Sequence, residues 1–197
     1  MNPSGPIGGP HAPTDPATRL LHLRDLPRRS PVSGGGSIRE IWASTGGQQE
    51  PRWLLQLVEV RGHIGRMSLP HHADHLLAGL SGPQVTVGSL PLAASLRKGR
   101  VLPYAGSSLE LRRPALRAAE PSRVILLSAF DRRDPPRLVF LELQGTSALP
   151  TGTRAVVVRA GRLRIGGVTA SAFDAVGCTR SPVIVSEAEA RVLLVVD

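Results

Sequence analysis

The sequence predicts an all-β protein, a sandwich or a barrel. Short runs rich in Val, Leu and Ile follow one another at a spacing of roughly ten residues. Glycine and proline, 21 and 18 in a chain of 197, punctuate them. Helical patterning is scarce, at most a turn near Pro114 to Ala119.

Met1 to Ala17 is rich in Pro and Gly and lacks apolar periodicity, so residues 1–17 are expected to form a disordered tail that includes His11. Thr18 to Leu26 reads as the first strand, and Pro27 to Gly36 as a loop holding the Gly34-Gly35-Gly36 triplet. Glycines there permit backbone angles closed to other residues. Ser37 to Ala43 is a second strand, Gly46-Gly47 a turn, and Arg52 to Val60 (RWLLQLVEV) a strong third strand. Shorter runs follow at Arg66–Leu69, His75–Leu80, Gln84–Val87, Ala93–Leu96 and Ser108–Leu111. The second half repeats the rhythm at Arg123–Ser128, Arg137–Leu143, Arg154–Arg159, Arg162–Ile165, Val183–Ser186 and Ala190–Val196.

Composition narrows the function. Hydrophobic residues are 41% but aromatics only 3%, so the core is aliphatic and stacking platforms for bases are scarce. The formal net charge is +9, carried almost wholly by arginine, since Lys98 is the only lysine. These arginines are dispersed along the chain, which favours weak attraction to anions over specific nucleic-acid recognition. Cys178 stands alone, which excludes an intramolecular disulfide or a cysteine metal cluster, and it reads as a small buried residue. No apolar run approaches the length of a membrane span, so a cytoplasmic protein without membrane contact is expected.

The C-terminal half is the most legible. Ala155–Gly161 leads through a Gly turn to Arg162–Gly167, then Ala172–Val176, then the apolar run Ala190–Val196. This succession resembles the second half of a cupin domain. His75–Gly82 followed by Gln84–Gly88 repeats the theme loosely. The resemblance implies a double-stranded β-helix, or jelly roll, built twice. Residues 18–115 would form an N-terminal cupin-like unit and 116–197 a C-terminal one, packed as a bicupin.

Gly34-Gly35-Gly36-Ser37-Ile38-Arg39-Glu40-Ile41 resembles the N-G-G-G-x-T-R-E-I signature of the HutD/Ves family of small bicupins. Arg52-Trp53-Leu54-Leu55-Gln56-Leu57 resembles that family's W-R-x-S strand, and Leu69-Pro70 its F-P-G-x-D-R segment. The chain departs from these patterns at Ser33, Ile38, Leu54, Gln56, His71, Ala73 and Asp74. The resemblance implies a regulatory protein linked to histidine utilisation or stress, with a small anionic ligand in the N-terminal unit.

The candidate ligand-binding residues are Arg39, Glu40, Gln56, His63, His71 and His75. Arg39 and Glu40 are adjacent, so on a strand they take opposite faces and share a lumen only through a bulge. Arg39 can clamp a carboxylate bidentately; the competing reading pairs one of the two with a neighbouring charge at a sheet edge. Trp53 reads as core, and Gln56 as a polar group of the lumen. All six histidines lie at or before residue 75, which leaves the C-terminal unit without an imidazole. Among His63, His71, His72, Asp74 and His75 only two or three ligands could converge, so neither metal nor other cofactor is expected. The competing readings are a solvated His-rich turn or imidazoles hydrogen-bonded at a barrel mouth. Neither a nucleophile elbow nor a phosphate-binding loop is visible.

The expected function is therefore non-catalytic binding of a small anionic metabolite. Its rivals are a metal-dependent cupin enzyme (a dioxygenase or isomerase) and an interaction module with an empty barrel. Edge pairing would permit a homodimer.

Overall fold

The structure, a computed structural model, describes residues 18–28, 33, 35–45, 51–88, 93–114, 120–178 and 183–197. The expected N-terminal tail with His11, the Gly46-Gly47 turn and most of the turn at 114–119 lie outside the described residues. The described residues form sixteen strands and no helix.

The strands between residues 36 and 129 build two sheets. One carries β2 (Gly36–Thr45), β3 (Pro51–Val60), β5 (Asp74–Ser81), β8 (Val101–Tyr104) and β10 (Ser122–Ala129), in the order β2-β3-β10-β5-β8. The other carries β4 (Ile64–Ser68), β6 (Val85–Val87), β7 (Ala94–Leu96) and β9 (Ser108–Arg112), in the order β4-β9-β6-β7. We call these the wide and the narrow sheet. The remaining strands form a third, curled sheet: β1 (Thr18–His22), β11 (Arg137–Ala148), β12 (Thr153–Ala160), β13 (Arg162–Ile165), β14 (Val168–Ser171), β15 (Asp174–Cys178) and β16 (Val183–Val196). Its order is β1-β15-β12-β16-β13-β14, with β11 added to β16. Its last strand, β14, returns beside β15 and β1, so the sheet is a nearly closed barrel.

Side-chain alternation sorts these strands into three cores. On β3, Val58 and Val60 point inward with Leu126 of β10 and Leu77 of β5, meeting Met67, Leu109 and Leu111 of the narrow sheet. On β12, Val156 and Val158 fill the curled sheet with Leu163, Ile165, Val192 and Leu194. The opposite faces meet each other: Trp53, Leu55, Ile125 and Leu127 of the wide sheet pack on Ala155, Val157, Leu193 and Val195 of the curled one. Gly177 of β15 lies under the Trp42 ring, where an added Cβ would come within 2.2 Å of the ring carbon. Cys178 is buried in the curled sheet's core, and that burial pushes its thiol up to about 11.

Several elements differ from the sequence expectation. The first strand ends at His22, where the chain turns with Asp25 N donating to the His22 carbonyl at 2.9 Å. β8 contains Pro103, a residue that argues against a strand, but β8 is an edge strand, and an edge tolerates the missing donor. β14 is a four-residue strand that the sequence pattern does not show. The two runs Val183–Ser186 and Ala190–Val196 are one strand, β16, because Glu187-Ala188-Glu189 continues the extended backbone. β15 runs Asp174–Cys178, two residues beyond the expected step.

Strand pairing crosses residue 115. β10 lies between β3 and β5, while β1 pairs antiparallel with β15, Thr18 opposite Cys178 and His22 opposite Asp174. A division at residue 115 therefore separates β10 from both of its partners and leaves β1 far in sequence from its own.

Candidate functional site

The site forms where the wide and curled sheets diverge. On β2 the pleat puts Ser37, Arg39 and Ile41 on the face toward the curled sheet, and all three are buried. Register sets Ser37 opposite Glu59 of β3, and Glu59 opposite Arg123 of β10. Arg123 in turn faces Ser81 of β5. Four polar residues thus form one row across four strands, in a position that an apolar core would otherwise fill.

Hydrogen bonds hold the row together. Ser37 Oγ donates to Glu59 Oε2 at 3.2 Å, and Arg123 Nε donates to Glu59 Oε1 at 3.0 Å. Arg39 Nη2 lies 3.6 Å from Glu59 Oε2, and the two side chains are only 6% and 5% exposed. Burial alone would raise the Glu59 carboxyl. The hydrogen bond and charge of Arg123, the charge of Arg39 and the Ser37 hydroxyl outweigh it and hold the group below the usual carboxylate value. Glu59 is therefore ionised at neutral pH.

Arg39 also ties the sheets to each other. Its Nη1 donates to the carbonyls of Leu23, Arg24 and Leu26 at 3.1, 2.7 and 2.9 Å. Those carbonyls belong to the turn that follows β1, a strand of the curled sheet. Its Nε is buried without a hydrogen-bond partner.

The curled sheet supplies the facing wall. His22 Nδ1 lies 2.7 Å from Asp174 Oδ1, and Asp174 Oδ2 accepts the Ser171 backbone N–H at 2.9 Å. Beside them Phe173 has φ 68°, a left-handed conformation that is strained for a bulky residue. Two backbone bonds fix it: Phe173 N donates to the Val158 carbonyl at 2.8 Å, and Leu23 N donates to the Phe173 carbonyl at 3.1 Å. The Arg123 guanidinium sits over the Phe173 ring, 4.7 Å from its centroid.

Between the walls lies a cavity of about 500 Å³. Six arginines line it (Arg24, Arg28, Arg39, Arg61, Arg123 and Arg162) against two carboxylates, Glu59 and Asp174. Gly35, with φ 97°, positions one of them: its carbonyl accepts the N–H groups of Arg61 and Gly62 at 2.9 and 3.0 Å. Among the described residues, the side chains of Arg28, Arg61 and Arg162 have no hydrogen-bond or ion-pair partner. The cavity is strongly cationic and is walled by groups suited to carboxylate or phosphate oxygens.

The structure disperses the other sequence candidates. Glu40 and Gln56 stand opposite each other on the other face of the wide sheet, both half-buried, so they do not share the cavity with Arg39. His75 is 2% exposed, opposite Ser128, with Nδ1 3.0 Å from Ser128 Oγ and Nε2 unpartnered. Burial lowers its pKa, opposed by the Pro70 backbone and the Asp74 charge, so the ring is neutral at pH 7. His63 and His71 are exposed on the connections before β4 and β5. Among the described residues no three His, Cys, Asp or Glu side chains are placed to hold a metal ion. The described side chains therefore do not supply the ligand set that a metal-dependent cupin enzyme would need.

Sequence reasoning missed Glu59, Arg28, Phe173 and the His22–Asp174 pair. Glu59 did leave a signal. It falls on the Trp53-Leu55-Leu57 face of RWLLQLVEV, where a carboxylate is out of place without a partner.

No protein-family model matches the chain, and no curated protein matches it. Solved structures do. A conserved protein of unknown function from Pseudomonas aeruginosa superposes with TM-score 0.72 at 20% identity, over 91% of this chain and 97% of that one. HutD from Pseudomonas fluorescens, solved in a formate condition, gives TM-score 0.66 at 17% identity, covering 91% and 98%. A cupin 2 conserved barrel domain protein from Leptotrichia buccalis gives 0.55 at 10% identity, covering 90% and 95%. The fold is a cupin-type β fold. No helix of the described residues is long and apolar enough to cross a membrane.

Proposed function

We propose that this chain binds a small anionic metabolite without transforming it, as a divergent bicupin of the HutD/Ves type. The ligand site is the arginine-lined cavity between the wide and curled sheets, rather than the lumen expected from the sequence. The carrying observation is the charge imbalance of that cavity: six guanidiniums against two carboxylates, both of which already have partners. Arg61, Arg28 and Arg162 are the ligand's contacts. Arg39 is a positioning residue, since its donors hold Glu59 and the turn after β1.

A thermal-shift series with formate, acetate and other small carboxylates, with and without chelator, tests this. A ligand that binds only the folded state raises the unfolding midpoint. At a concentration about 100-fold above its dissociation constant the rise is about 5 °C or more for a chain of this size. A midpoint that no anion moves overturns the reading. A rise that chelator abolishes favours the metal-dependent enzyme instead.

A further inference from the structure

The unpartnered arginines come from both sides of the cavity, and that limits the ligand. Arg61 follows β3 in the wide sheet. Arg162 opens β13 of the curled sheet, and Arg28 lies beyond the turn after β1. Glu59 neutralises neither wall: it is bound by Arg123 and flanked by Arg39 and Ser37. Asp174 is bound by His22 and the Ser171 N–H. A ligand with one charge would satisfy one wall and leave like charges facing each other across the cleft, a repulsion that grows as water is displaced.

The lining is not uniformly polar. Leu57, Ala172 and the Phe173 ring also face the cavity. An inorganic ion would leave these groups without contacts, whereas a short carbon chain covers them. Phe173 adds a second observation. Its left-handed backbone is strained for a bulky residue, and such strain collects where a side chain is held for use. The held ring supports Arg123 from below.

We infer that the ligand is an organic dianion, two anionic groups joined by a short carbon chain, bridging Arg61 on one wall and Arg162 on the other. This rests on the anion-binding reading above. Dicarboxylates and carboxylate-phosphates share this chemistry.

Titration calorimetry at low salt with succinate, phosphoglycolate, acetate and inorganic phosphate decides the matter. Succinate or phosphoglycolate should bind at least about tenfold more tightly than acetate and than inorganic phosphate, the worth of one added charge-assisted contact. Arg61→Ala and Arg162→Ala, both at exposed positions, should each weaken the better dianion by about tenfold or more. Each should narrow the dianion's advantage over acetate to about threefold or less. Circular dichroism and thermal midpoints of both variants establish that they fold. Equal affinity for acetate and succinate, with phosphoglycolate no better, overturns the dianion and leaves the anion reading standing. Inorganic phosphate matching the organic dianions overturns the requirement for a carbon chain. If only one of the two variants matters, the bridge is wrong. If none of the four probes binds, the anion reading fails and this inference with it.

Discussion

At one end of the space between the wide and curled sheets, Glu59 is held by Arg123, Arg39 and Ser37. At the other, Leu127 and Ala129 lie beside Leu76, Pro135 and Pro136 around an apolar cavity. A single strand serves both: β10 places Arg123 at the charged end and Ala129 at the apolar end, with Ile125 and Leu127 between them on the same face. The two cavities are similar in size, about 500 and 550 Å³. Volume therefore does not single out a site here. The charged end buries ions that an apolar core would have excluded, and it anchors them on the turn of a strand from the opposing sheet. The apolar end is lined mostly by aliphatic and proline side chains, with Asp74, His75, Tyr104 and Arg137 beside them.

Replacing Arg39 with Met should break this contrast most strongly. It leaves Glu59 with one fewer cation and three turn carbonyls without their donor. The expected loss is roughly 3–5 kcal/mol, the cost of breaking a buried pair from one side, read by urea unfolding. A loss under about 1 kcal/mol would show that water already screens the charged end. Leu127→Ala at the apolar end should cost about 3 kcal/mol through lost contacts and a residual cavity. The two losses should add to within about 0.5 kcal/mol if the ends are independent, whereas strong coupling would join them into one unit.

A smaller effect sharpens the comparison through pH. The folded-state pKa of Glu59 lies below its ordinary 4.5. Its stabilisation is therefore complete above that value and is lost as the pH falls through the depressed one. Wild type should lose unfolding free energy more steeply than Glu59→Gln as the pH falls below the ordinary 4.5, so the gap between them closes in acid. Parallel curves would show that the Arg39–Glu59–Arg123 cluster contributes no linkage.

Much of the fold was legible because half-buried strands alternate visibly. RWLLQLVEV declares both its faces, and β3 occupies that stretch. β8 was hidden by Pro103, whose meaning depends on edge position, a property of the sheet and not of the run. β1 was read as a strand but its partner could not be, since pairing with β15 leaves no local pattern. The site was less legible for the same reason. The pleat separates Arg39 from Glu40 by sequence alone, and the register puts Glu40 opposite Gln56. By contrast, the arginines were dispersed in sequence, and only the packing of the two sheets gathers six of them around one cavity.

The antiparallel docking of β1 on β15 has a consequence for synthesis. His22 and Asp174 are 152 residues apart, so at ribosomal speeds β1 waits on the order of ten to thirty seconds for its partner. Throughout that time the turn at Leu23–Leu26 has no β15 behind it, and Arg39 has no fixed carbonyls to grip. The cleft is thus assembled only after β15 has emerged. A nascent chain interrupted before β15 would carry its arginines without the wall that turns them into a site, which couples ligand capture to completion of the barrel.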